Sequence, residues 1–223
     1  MVSNKFAVIG LGVFGSAIAR KLAQRGADVV AIDEVVDKVE AINKEVAYAV
    51  ALDSTNKEAL LAQNIAAMDA VVVSIGSSFQ NLMLTVFQLQ EIGVKRIIAR
   101  AQGETQRKIL SKMGIEHILS PELEVANNVA EQLTNPGVLM CVELPDEYEI
   151  VEVEAPRNTV GKSLEGVGFR QKYNINLVTV LQKSGNEHHI HGVPAPDTIL
   201  NEGDILLVFG LIKDINRFID VNA

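Results

Sequence analysis

The segment Phe6-Ala7-Val8-Ile9-Gly10-Leu11-Gly12-Val13-Phe14-Gly15 holds the clearest chemical instruction in the chain. A short apolar run feeds G-x-G-x-x-G, and the residues after it, Ser16 to Arg25, follow the period of an amphipathic helix. In that order Gly10 permits a tight strand-to-helix turn and Gly12 lets the backbone approach a pyrophosphate. Gly15 lets helix and strand pack closely. The free N–H groups around Val13 and Phe14, at the helix N-terminus, present the positive end of the helix dipole to phosphate. A second apolar run, Val29-Val30-Ala31-Ile32, ends on Asp33, roughly twenty residues on, where a carboxylate accepts from a ribose 2′-OH. A lone glycine motif would be weak. Strand, fingerprint, helix, strand and terminal acid together predict a nucleotide site, against the plain alternative of a similar turn without its ligand.

Such a motif needs a sheet around it. From Phe6 to about Thr134, short apolar runs (Phe6–Ile9, Val29–Ile32, Ala47–Leu52, Ala70–Ile75, Arg96–Ala99, His117–Leu119) alternate with helical stretches, one of them marked by Leu82, Met83, Val86 and Phe87. That alternation predicts an α/β domain, a Rossmann-like doubly wound parallel sheet covered on both faces. Asn135-Pro136-Gly137 breaks the pattern. Beyond it, Val138–Leu144, Ile150–Glu154, Leu177–Gln182, His188–Ile190 and Ile205–Phe209 read as strands without regular helices between them. Ser184-Gly185-Asn186 marks a hairpin, Asn201 to Asp204 a turn, and Lys213–Val221 a closing helix. The expected division is 1–134 for the nucleotide-binding domain, 135–162 for crossover strands, and 163–223 for a second, smaller α+β domain.

Ligands of open α/β sheets bind beyond the carboxyl ends of the strands. Those ends supply the remaining candidates. Asp33 with Glu34 disfavours a 2′-phosphate and so selects NAD or adenine ribonucleotides over NADP, although Glu34 also reads as a solvated acid. Asp53, followed by Ser54, serves either the adenine amino group or the N-cap of a helix starting near Asn56. Ile75-Gly76 either flanks adenosine at short range or forms a plain turn. Arg100 is either a phosphate ligand or an exposed ion-pair residue. Glu122 follows Ser120-Pro121, an N-cap and a first-turn proline, and reads from the residues alone as an acid complementing the helix dipole.

The chain has 223 residues, 48% of them hydrophobic and 22% charged, with a net charge of -8. That charge argues against nonspecific nucleic-acid binding, which needs a basic field. The single Cys141 forms no intrachain disulfide, fits a reducing cytosol, and reads as a small strand hydrophobe. No stretch approaches the ~20 apolar residues of a membrane span, and Met1 to Lys5 lacks a signal-peptide pattern. A cytosolic protein is expected, acting at a membrane only through a partner. His117 reads as structural. His189 and His191 share a strand face but lack a third metal ligand, so an exposed hairpin is expected. No acid–base pair stands out beside the nucleotide, which points to a sensor and away from an enzyme.

These motifs resemble the RCK family, cytosolic regulatory subunits of bacterial potassium uptake systems of the Trk and Ktr types. The resemblance rests on FAVIGLGVFG, VVAID ending at Asp33, LDST at Leu52–Thr55, VSIG at Val73–Gly76, RAQ at Arg100–Gln102, SPE at Ser120–Glu122 and LPDEYEIVEVEA at Leu144–Ala155. It implies a homo-octameric ring beneath a membrane potassium-translocating subunit, with ATP and ADP at the glycine turn favouring different ring shapes. It also implies a divalent cation, magnesium or calcium, on Glu122, and a TrkA-C type second domain. Some relatives bind cyclic di-AMP there, and the matching residues are Phe169, Arg170, Asn176, Pro194 and Pro196. Many members carry arginine where this chain has Val13, so NAD(H) or AMP stays open as the ligand. Two other readings share the fold: a small NAD-dependent dehydrogenase, and a nucleotide-sensing module of a cation antiporter.

Overall fold

The computed structural model of the chain describes residues 4–134, 137–185, 187–190 and 192–222. Asn135 and Pro136 of the expected breaker, Asn186 of the expected hairpin and His191 lie outside the described residues. The chain divides into two units, Met1–Leu123 and Glu124–Ala223.

In the first unit β1 (Lys5–Ile9) leads into α1 (Val13–Gln24), and β2 (Asp28–Asp33) into α2 (Val36–Ile42). The alternation continues through β3 (Tyr48–Ala51), α3 (Lys57–Ala62), β4 (Ala70–Val73), α4 (Phe79–Glu91), β5 (Ile97–Arg100), α5 (Glu104–Lys112) and β6 (His117–Leu119). Helix α6 (Pro121–Thr134) starts in this unit and runs into the next. The strands form one parallel sheet in the order β3-β2-β1-β4-β5-β6. Successive side chains of a strand face opposite sides, so the unbroken apolar runs feed two cores. Ala7, Ile9, Val71 and Val73 pack with Leu82, Val86 and Leu89 of α4 on one face, while Val8, Val29 and Ala31 pack with Ala19 of α1 on the other. Each fully buried aliphatic side chain contributes roughly 1.5–3 kcal/mol. Helix α4 buries Leu82, Thr85, Val86 and Leu89, whereas Phe87, one of the apolar residues that mark this helix in the sequence, is 50% exposed. This strand order reverses direction between β1 and β4, where a doubly wound sheet opens a crevice at its carboxyl edge.

The second unit carries a five-stranded antiparallel sheet. Its strands are β7 (Val138–Glu143), β8 (Tyr148–Glu154), β9 (Asn176–Ser184), β10 (Glu187–Ile190) and β11 (Ile205–Leu211), in the order β10-β9-β11-β8-β7. Short helices α7 (Leu164–Val167) and α8 (Phe169–Tyr173) precede β9, and α9 (Ile212–Asn222) closes the chain. β8 alternates buried and open positions and pairs with β11 from Tyr148↔Leu211 to Glu154↔Ile205. The strands between 135 and 162 therefore share a sheet with those beyond 163. Ile215, Phe218 and Asn222 of α9 turn inward, and Phe218 packs on the rings of Phe169 and Tyr173 at 5.4 and 5.1 Å. Cys141 is buried in this core. β10 is exposed at all four residues, and its His189 approaches Glu187 at 3.6 Å, as expected of a hairpin edge. Among the described residues no helix is long and apolar enough to cross a membrane.

Candidate functional site

The glycine turn is stitched to its neighbours by backbone. Gly10 N–H donates to the Ile32 carbonyl at 2.8 Å and Ser74 N–H to the Ile9 carbonyl at 2.7 Å. Gly10 has φ +93, and a Cβ there would stand 2.8 Å from the Ser74 carbonyl group. A Cβ on Gly15 would run into the Gly10 carbonyl oxygen, so α1 rests directly on the turn. Gly12 differs from both. It caps α1 at φ -66 and ψ -174, and a Cβ there would meet nothing within 4 Å. No side chain caps α1, in contrast to α3 and α4, which Asn56 and Ser78 cap. The first N–H groups of α1, from Val13 onward, are left to solvent or to an anion. Val13 itself is 93% exposed.

Asp33 sits where the sequence places it, at the end of β2, but its carboxylate is already engaged. Oδ2 accepts from Leu11 N–H inside the glycine turn at 2.7 Å, and Oδ1 from Val35 N–H at 2.9 Å. Lys38 of α2 reaches both oxygens at 3.2 Å. Asp33 is buried and Lys38 is half exposed. The acid therefore fixes the turn's shape, and any ribose hydroxyl shares it with Lys38. Lys38 carries no motif, and its i+5 offset from Asp33 is not a helical contact spacing, so no local pattern points to it. Glu34 is exposed at the same edge.

Nine of the twelve expected nucleotide-site residues line one cleft at the carboxyl edge of the sheet: Gly10, Gly12, Asp33, Glu34, Asp53, Ser54, Ile75, Gly76 and Arg100. Lys38, Ser74, Ser77 and Asn81 join them. Val13, Phe14 and Gly15 shape the turn without lining the cleft. Asp53 does not cap α3. Asn56 does, accepting from Glu58 and Ala59 N–H, while Asp53 closes its own small turn onto Thr55 N–H and Oγ1. Asp53 lies four positions before the first helical residue, Lys57, too far for an N-cap, whose oxygen serves donors two or three residues on. Ser54 is buried and bonds Thr85 of α4 at 2.8 Å, which holds the third strand tip against the helix.

Arg100, on the last residue of β5, donates through Nη2 to Glu122 Oε1 in the first turn of α6. Its guanidinium also lies over the Phe14 ring, 5.4 Å from the centroid. The arginine's hydrogen bond, then the helix's own N–H, hold the Glu122 carboxyl below the usual carboxylate range. The carboxyl is thus charged at neutral pH. Ser120 does not cap α6 with its side chain: its Oγ is buried without a hydrogen-bond partner among the described residues, as are Ser74 Oγ and Arg100 Nε. Three unmet polar atoms at neighbouring strand tips are a concentration that a folded protein tolerates mainly where something else binds.

As a metal position Glu122 offers one half-exposed carboxylate, and no group of three His, Cys, Asp or Glu that could hold an ion occurs among the described residues. The described side chains do not by themselves make a complete ion shell.

In the second unit, Arg170 donates Nε and Nη2 to the same Asn176 oxygen at 2.9 and 2.5 Å. Phe169 is buried in the core, so its ring packs inward and does not offer a face to a base. Pro196 accepts from Glu165 N–H through its carbonyl, and Pro194 is partly buried on the same loop.

Residues 6–121 match the TrkA-N domain and residues 148–222 the TrkA-C domain. The chain is 37% identical to the Ktr system potassium uptake protein C of Bacillus subtilis over 97% of its own length and 96% of that protein's. It is 36% identical to protein A of the same organism's Ktr system, over 97% and 96%. The chain belongs to the Ktr potassium uptake family. The fold of this Ktr-family chain overlays the RCK domain of GsuK with a TM-score of 0.70 at 15% identity, covering all of this chain and 48% of that one. It therefore spans about half of that RCK-domain chain. The cleft residues from Gly10 to Arg100 all fall within the TrkA-N match, and Arg170 and Asn176 within the TrkA-C match.

Proposed function

We propose that this Ktr-family chain is the nucleotide-sensing regulatory subunit of a membrane potassium uptake system, and that ligand binding changes the shape of its assembly without turnover. The observation that carries this reading is the cleft at the β1/β4 switch point, built on an uncapped helix N-terminus, in a chain alike over nearly its whole length to potassium uptake proteins. The ligand is an adenine nucleotide. ATP and ADP are the first choice. NAD(H) and AMP need less charge compensation, and GsuK is a channel of this fold described bound to NAD. The cleft's two cations, Lys38 and Arg100, both already face carboxylates.

Residues 1–134 bind the nucleotide, the crossover strands of 135–162 join the sheet of the TrkA-C part, and 163–223 completes it. The working form is a homo-oligomer, a ring of eight, at the inner face of the membrane beneath a Ktr- or Trk-type translocating subunit, with no nucleic-acid role. A magnesium or calcium ion would take Glu122 as one ligand and draw its others from phosphate or a second copy. Cyclic di-AMP would meet Arg170 and Asn176 once their mutual bond opens.

Calorimetry with ATP, ADP, AMP and NADH, run beside light-scattering mass, tests the core of this. One site per chain for at least one of the four, in an oligomer, with unaltered ligand recovered afterwards, is the expected result. A monomer that binds none of them removes the proposal, and cofactor reduction on adding a hydroxy substrate replaces it with a dehydrogenase.

A further inference from the structure

We propose that Arg100 is a two-position cation, held by Glu122 until a ligand phosphate draws it away, so that Glu122 competes with the ligand. This rests on the nucleotide reading above.

Arg100 stands at the boundary between the cleft and α6. On one side Nη2 is bonded to Glu122. On the other, Nη1 faces Gly76, where an added methyl would sit 3.6 Å from it. Between them Nε is buried with no acceptor among the described residues. A guanidinium has five N–H donors in a fixed fork and satisfies them best against a bidentate oxyanion. In the pose seen, one carboxylate oxygen takes Nη2, and the buried Nε stays unmet. Ser74 and Ser120, 3% and 2% exposed, add two hydroxyls without partners at the flanking strand tips. An unpaired buried donor is costly, whereas a phosphate oxygen set at this tip would satisfy several of these atoms together.

The other half of the exchange is inexpensive. The Glu122 side chain is 53% exposed, against 16% for Arg100. Released, the carboxylate meets water and remains in the first turn of α6, where the helix dipole favours an anion. Its pair with Arg100 is worth little net in solvent. The Phe14 ring beneath the guanidinium offers a face in both positions. Phosphate arriving at the uncapped start of α1 therefore has a cation within the same cleft that can change partner. The consequence reaches α6, because Glu122 is in its first turn.

The test is calorimetry in EDTA, which keeps divalent ions out, with ADP and with adenosine as probes. Glu122→Gln removes the competing charge and is expected to tighten ADP about two- to five-fold, the worth of a partly exposed ion pair. Arg100→Gln is expected to weaken ADP about 10- to 100-fold, the worth of a charged hydrogen bond. In the double variant the glutamate should no longer matter, giving the Arg100→Gln value. Adenosine, which has no phosphate, should bind all forms alike. Glu122→Asp, which holds the arginine less closely, covers the case in which the glutamine variant does not fold, and should shift ADP in the same direction by less. Unchanged or weaker ADP binding in the folded Glu122 variant overturns the inference while leaving nucleotide binding in place. A wild-type protein that binds neither probe overturns both.

Discussion

Asp33→Asn is expected to lower the stability of the first unit by about 2–4 kcal/mol, as loss of a charged hydrogen bond with a stranded buried donor does. The substitution is nearly isosteric, so the loss must come from chemistry. Each carboxylate oxygen accepts from a backbone N–H, Leu11 on one side and Val35 on the other. Asparagine has one oxygen and one NH2. Whichever way it is flipped, a donor is set against a donor, and one N–H is left without an acceptor. Because Leu11 lies between Gly10 and Gly12, the fault falls inside the phosphate turn, and nucleotide affinity should fall with stability. A thermal melt should drop on the order of 10 °C. Lys38→Met is the control. It removes the exposed partner only, and should change stability by less than about 1 kcal/mol. If Asp33→Asn melts with the wild type while losing nucleotide, the acid is a ribose ligand alone and its role in the turn is discarded.

That reversal of emphasis shows where sequence reading stops. The strands were legible because runs such as Val71-Val72-Val73 are buried on both faces of a parallel sheet, so no polar residue interrupts them. Observed boundaries then lie within about two residues of those read, the usual margin of fraying ends. The glycine turn was legible because Gly10 and Gly15 each stand at a contact that a Cβ would disturb, while Gly12 leaves the start of α1 open. What stayed hidden depends on pairings between elements. Asp33 and Lys38 meet across a loop, Ser54 and Thr85 across two elements, and Arg100 and Glu122 across 22 residues. No local period announces such pairs. The choice open for Asp53, adenine contact or cap of α3, stayed undecided for a related reason. Asp53 and Asn56 are both good capping types, and only the position of the first helical residue decides between them. The second sheet was read strand by strand, but the pairing of β8 with β11 joins residues between 51 positions (Glu154↔Ile205) and 63 positions (Tyr148↔Leu211) apart, beyond any pattern in the chain.

The three glycines then separate folding from binding, and substitution by alanine should show it. At Gly15 a methyl group collides with the Gly10 carbonyl oxygen. Alanine ordinarily improves a helix by about 1 kcal/mol over glycine, but here the helix must lift off the turn, and overpacking of a closed contact costs roughly 1–3 kcal/mol. The clash involves backbone on both sides, so no rotamer relieves it, and Gly15→Ala should destabilise. Gly12→Ala should not. Its φ of -66 is ordinary for alanine, and among the described residues beyond its immediate chain neighbours no atom lies within 4 Å of the new methyl. The only thing that methyl can obstruct is a molecule drawn against the backbone at the start of α1, and Gly12 lines the cleft. Gly12→Ala is therefore expected to melt with the wild type yet bind adenylates at least about tenfold more weakly, the equivalent of ~1.4 kcal/mol. Paired melts and calorimetry on the two variants read this directly. Equal nucleotide affinity in wild type and Gly12→Ala would mean that phosphate does not come close to this turn, and the ligand would have to be sought elsewhere on the sheet edge.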